Sequence, residues 1–81
     1  MAVQLRRSAQ SIPQNIAQGC GRTTRADKAR HYAIARGSAM ECAAVMDAFL
    51  VLGVIDANQH EGAVALLERI VSMLTKLCRA T

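Results

Sequence analysis

Arg22, Arg25 and Lys28 recur every three residues. Cations at that spacing suit one task, the neutralisation of phosphate oxygens by charge-assisted hydrogen bonds. They belong to a wider imbalance. Residues 1–40 hold seven basic side chains (Arg6, Arg7, Arg22, Arg25, Lys28, Arg30, Arg36) against Asp27 alone, a net charge of +6, whereas residues 41–81 hold three basic against five acidic, a net of −2. Arg6, Arg7, Arg22, Arg25, Lys28 and Arg30 are therefore the candidate nucleic-acid contacts, RNA or DNA, and a solvated helix face is the alternative. Tyr32 and Phe49 are the only aromatic residues, too few for a base-stacking platform. Binding would then be directed to the backbone and weakly selective for sequence.

Catalytic groupings are absent from the sequence. Gly19-Cys20-Gly21 lacks the strand and the third glycine of a dinucleotide fingerprint, and there is no phosphate loop, H-E-x-x-H or nucleophile elbow. Cys20 with His31 is the one conceivable nucleophile pair, but no third group orients it, and His31 reads as a helix-surface residue. Cys20, Cys42 and Cys78 are odd in number, widely spaced and without a C-x-x-C or a His pair, so no metal and no cofactor is expected. Cys42 and Cys78 read as small core residues and Cys20 as an exposed thiol. The expectation is a non-enzymatic, cytoplasmic protein. The most apolar region, Cys42 to Ile55, is interrupted by Asp47 and falls short of the ~20 residues that span a membrane.

Three helices must position these groups. At 81 residues the chain has room for one domain, residues 1–81, and it buries only about 60 to 65% of its unfolded surface, so partner subunits would help it. Hydrophobic residues make up 52% but aromatics 2%, so the core must be built from Ala, Leu, Ile, Val and Met, which suits an all-α fold. Leu5, Ala9, Ile12 and Ile16 form one stripe of a first helix that continues through Pro13 with a bend. Gly19 and Gly21 end it. Thr24 with Asp27 has the form of a capping box for a second helix of about 43 Å, roughly Thr24 to Leu52. Gly53 terminates that helix, and Asp56 with Gln59 caps a third. The second helix scatters small residues around its circumference and should be central. Gly37 predicts the close approach of another helix, with simple tolerance of glycine as the alternative.

The third helix carries the argument for assembly. Its apolar residues span an arc of roughly 200 degrees, about twice what one core face needs. Leu66, Ile70, Met73 and Leu77 on that arc are the candidate oligomer interface.

Two runs carry a family resemblance. Gln4 to Gly19, Q-L-R-R-S-A-Q-S-I-P-Q-N-I-A-Q-G, resembles the signature Q-L-R-R-A-x-x-S-I-P-x-N-I-A-E-G of the four-helix bundle proteins associated with intervening sequences of 23S ribosomal RNA genes, departing mainly at Ser8 and Gln18. Ile34 to Glu41 resembles the family's I-A-R-G-S-x-x-E, and Leu52 to Ile55 its L-G-Y-I. The resemblance implies an up-and-down bundle whose last three helices are present here and whose first is absent. That absence would reflect an internal start or truncation, the favoured reading, or else supply by a neighbouring molecule or a three-helix version. Relatives among the accessory proteins of diversity-generating retroelements imply a homo-oligomer, a pentamer before a dimer, with a reverse transcriptase and nucleic acid as partners. Pro13, Asn15, Gly19, Arg36, Gly37, Ser38 and Glu41 match motif positions and are expected to serve architecture, as is Ser11. For Glu41 this means an ion pair or hydrogen bond within or between subunits, with Arg36 or Arg30 as candidates and an idle exposed carboxylate as the alternative.

Overall fold

Two side-chain caps and one left-handed glycine divide the chain where the sequence places them. In the computed structural model, which describes residues 2–80, α1 (Ala2–Gly21), α2 (Arg25–Val51) and α3 (Ala57–Ala80) are the regular elements, with no strand among the described residues. The Thr24 hydroxyl accepts the Asp27 N–H at 3.2 Å and starts α2. Asp56 and Gln59 form a reciprocal box ahead of α3: the Asp56 carboxylate accepts the Gln59 N–H at 2.8 Å, and the Gln59 side-chain oxygen accepts the Asp56 N–H at 2.9 Å. Gly53, with φ +75, lets the Val54 N–H reach the Phe49 carbonyl and the Gly53 N–H reach that of Leu50. This is the paired closure of a Schellman motif, and it consumes carbonyls that the helix end would leave unsatisfied.

α1 runs unbroken through Pro13. Pro13 and Ala9 are both exposed, so the carbonyl deprived of its helical donor is on the water side. The Asn15 carboxamide goes instead to the Ser11 carbonyl, at 2.9 Å.

Short loops make neighbouring helices antiparallel. Ser11 meets Ser38 and Asn15 meets His31 across α1 and α2, while Arg36 meets Thr75 and Asp47 meets His60 across α2 and α3. The backbones of α1 and α3 lie against α2 and do not approach one another. The extents, 44 × 22 × 13 Å, fit three helices side by side at the usual 8–10 Å spacing. The molecule is thus a single layer with α2 in the middle.

α2 meets helices on both flanks because its inward side chains are small. Ala35 and Ala39 are wholly buried, Tyr32 and Cys42 nearly so, and Leu74 of α3 is the one large side chain among the described residues with no exposure. Ile16, Ile70, Leu77 and Cys78 pack against the cluster of Tyr32, Ala35 and Leu74. On one face of the layer, Leu5, Ala9, Ile12, Cys42, Met46, Ala63, Leu66 and Leu67 line an apolar groove of about 280 Å³.

Two expectations are corrected. Gly37 faces open space, with nothing within 4 Å of where a Cβ would stand. The close approach is at Gly19, where a Cβ would lie 2.6 Å from Cε1 of Tyr32. His31 is buried, at 6% exposure, because the inward face of α2 extends back from Ala35 to both Tyr32 and His31.

Candidate nucleic-acid interface

Arg22 and Arg25 are exposed at the turn joining α1 to α2, with Arg30 exposed and Lys28 half-buried just beyond. The antiparallel return of α3 adds two cations that counting along the chain does not associate with this turn. Cys78 lies against α2, its Sγ 3.8 Å from the Ala29 carbonyl, so Arg79 and Lys76, both exposed, sit at the same end of the layer. Arg6 and Arg7 are not part of this group: Arg7 lies fifteen helical residues before Arg22, about 22 Å along the axis. The opposite end carries Asp47, Asp56 and Glu61, with His60 Nε2 2.6 Å from the Asp47 carboxylate. Exposed apolar residues Val51, Leu52 and Val54 form the tip beside it.

Cys20 and His31 are not brought together. The exposed Cys20 thiol lies 3.5 Å from the Tyr32 hydroxyl, and His31 is engaged elsewhere. The Cys20 contact first, and burial second, hold the Tyr32 phenol above its ordinary value of 10.0. A raised folded-state value means that the fold favours the neutral phenol. That contribution is complete below 10 and is lost as pH climbs through the folded value. Because Tyr32 is the sole tyrosine, Cys20→Ala should move the ultraviolet phenolate titration of the folded protein downward, towards 10. An unmoved titration would mean that the thiol contact is not the leading cause. Burial, and then the charge of Glu41, likewise raise the Cys42 thiol.

A seam of polar side chains joins α1 to α2. Asn15 Nδ2 donates to the Ser11 carbonyl and, at 3.0 Å, to the Ser11 hydroxyl. A carbonyl can only accept, so the other end of the carboxamide, Oδ1, faces His31 Nδ1 at 3.1 Å, and that nitrogen carries the proton. Ser38 donates to the Ser11 hydroxyl at 2.8 Å. Asn15, Ser11 and Ser38 thus fix the two helices against one another, and His31 joins them although the sequence reading left it on the surface. Its signal is the helical step back from Ala35 and Ala39.

The remaining motif residues divide. Arg36 reaches across to α3, 3.5 Å from the Thr75 hydroxyl, and makes no ion pair with Glu41. Arg30 makes none either among the described residues, so the expectation is corrected for a pair within the chain: the Glu41 carboxylate is exposed and lines a groove with Gln4, Arg7, Ser8, Ser11 and Ser38. Of the apolar arc on α3, Ile70 and Leu77 pack on the core, while Leu66 and Met73 are 51% and 53% exposed. No group of three or more metal-ligating side chains occurs among the described residues. No helix among them is long and apolar enough to cross a membrane.

Residues 1–76 match the model of a family described as 23S rRNA-intervening sequence protein. No curated protein and no solved structure gives a match.

Proposed function

This chain belongs to the 23S rRNA-intervening sequence protein family, and from that membership we propose that it acts as a non-enzymatic, homo-oligomeric helical scaffold in the cytoplasm that binds RNA or DNA through a basic surface. The observation that carries the reading is the gathering of Arg22, Arg25, Lys28 and Arg30 with Lys76 and Arg79 at one end of the layer, away from Asp47, Asp56 and Glu61. Exposed guanidinium and ammonium groups in that arrangement release condensed counterions on meeting a phosphate chain, which favours nucleic acid of either kind. The half-exposed Leu66 and Met73, and the apolar groove that all three helices line, support association between copies. A closed ring, five copies by the family resemblance, would repeat the basic end along one rim. Individually weak contacts would then act together. A nucleic-acid enzyme such as a reverse transcriptase is the protein partner that the same resemblance suggests.

One experiment tests both parts. Light scattering should give a mass of at least two chains of 8.7 kDa, and a monomer would overturn the assembly part. Affinity for structured RNA and for duplex DNA should fall with salt by a slope of roughly 0.9 per phosphate neutralised on the duplex. Changing Arg22, Arg25 and Lys28 together to Gln should lower the affinity and flatten that slope at unchanged mass. The apolar groove gives a second reading, a protein-interaction module with no affinity for nucleic acid. A parent protein that binds no nucleic acid near ~50 mM salt would put that reading first.

A further inference from the structure

The groove that holds Glu41 is lined mainly by polar side chains, and its two walls differ in chemistry. Gln4, Arg7, Ser8 and Ser11 recur at helical spacing along α1, and Ser38 and Glu41 stand one turn apart on α2. The space between them is about 340 Å³, at the lower end of the ~300–1,000 Å³ of small-molecule sites.

Three features show that it is more than a gap between helices. Ser8 is 6% exposed, and its hydroxyl makes no hydrogen bond among the described residues. No enclosed side-chain oxygen or nitrogen lacks a partner there, so that hydroxyl opens into the groove. Arg7 and Glu41 line the same space, yet neither makes an ion pair among the described residues. Finally, the seam beneath fixes a proton: Ser38 donates inward to Ser11, so its lone pairs are what it offers outward.

The α1 wall thus offers a guanidinium, which can only donate, with a carboxamide and a hydroxyl that can donate or accept, while the α2 wall offers acceptors, a carboxylate and the Ser38 oxygen. A complementary ligand has two adjacent N–H donors on one edge and an anion on the other. A guanine nucleotide has this pattern. Its N1–H and N2 amino group present paired donors to a carboxylate, and its phosphate suits the guanidinium. A zwitterionic peptide shares the pattern but carries no net charge, and the exposed Arg6 stands next to Arg7 on α1, two cations to the one carboxylate of the groove, which favours a ligand that is negative overall. We propose that the groove between Arg7 and Glu41 seats one unstacked guanine nucleotide, its Watson–Crick edge on Glu41 and Ser38 and its phosphate on Arg7. The inference rests on the nucleic-acid reading and gives it a base preference that the basic end, directed at phosphates, cannot supply.

The test uses GMP, IMP, AMP and UMP in calorimetric or NMR titrations of the whole chain, with short single-stranded G-containing and all-U RNAs as a second arm. IMP keeps N1–H and lacks only the N2 amino group. GMP should bind roughly tenfold or more tightly than IMP, the discrimination expected for one lost half of a bidentate contact, and AMP and UMP more weakly still. Glu41→Gln should abolish the preference for GMP over IMP, and Arg7→Gln should weaken all four nucleotides alike. Both positions are exposed at the groove, and circular dichroism verifies that the variants fold. A preference seen in the RNA arm but not with GMP places the nucleotide within a strand; one seen in both admits a free nucleotide. The triple change at Arg22, Arg25 and Lys28 should lower RNA affinity and leave the GMP-to-IMP ratio unaltered, so the two readings fail separately. Equal binding of all four nucleotides together with no preference for the G-containing RNA, or an undiminished preference in Glu41→Gln, overturns the proposal.

Discussion

Leu74→Ala should destabilise the fold by about 2 to 5 kcal/mol, the range for deleting a buried leucine side chain. Leu74 is the one large side chain among the described residues with no exposure at all, and it lies on Tyr32 and Ala35, where residues from all three helices converge. The neighbours cannot fill the void readily. Ala35 has nothing to extend, and the Tyr32 ring is held on its other side by Gly19 and Cys20. At roughly 0.05 to 0.15 kcal/mol per residue the whole domain is worth only about 4 to 12 kcal/mol, so this single change removes a large fraction of it. Thermal unfolding followed by circular dichroism, at fixed protein concentration, should show the midpoint fall by 10 °C or more, since ~1 kcal/mol corresponds to about 4–8 °C in a domain of this size. A shift of only a few degrees would place the centre of the core elsewhere.

The contrast between legible and illegible features follows the range of the interactions. The helix boundaries could be read because each is written within a few residues: Thr24 with Asp27, Asp56 with Gln59, Gly53 with the carbonyls just before it. The central place of α2 was also legible, since a helix flanked on two sides needs small residues on more than one face. Side-chain partners across helices were not. Which face of α2 meets α1 depends on the relative rotation of two cylinders, and that is decided jointly by Gly19, Tyr32 and the seam from His31 to Ser38. The basic surface was half legible for the same reason. Arg22, Arg25 and Lys28 are neighbours in sequence, whereas Lys76 and Arg79 join them only because α3 runs antiparallel to α2. Glu41 was recognisable as a motif residue, but its setting in a groove opposite Arg7 needs the packed pair.

Gly19 and Gly37 should respond to alanine with opposite signs. Both are helical and both match motif positions, so the sequence alone ranks them together. At Gly37 a new Cβ meets nothing within 4 Å, and Gly37→Ala should stabilise the protein by roughly 0.5 to 1 kcal/mol through the lower backbone entropy of the unfolded chain. At Gly19 the Cβ would stand 2.6, 3.0 and 3.1 Å from three atoms of the Tyr32 ring. The ring is a rigid body, buried to 5% exposure, with its hydroxyl against Cys20, so it cannot swing aside as the tip of a flexible side chain would. Either α1 lifts from α2 or Tyr32 leaves its rotamer. Overpacking of this kind costs about 1 to 3 kcal/mol, enough to exceed the helix-propensity gain. Gly19→Val adds further atoms at the same place and should be worse. Because Asn15 lies one turn before Gly19, lifting α1 would also loosen its bond to His31, so the Gly19 variants should show faster amide exchange along the α1–α2 seam while the Gly37 variant does not. Destabilisation by Gly37→Ala, or tolerance of Gly19→Val, would mean that α1 and α2 meet on other faces than those described.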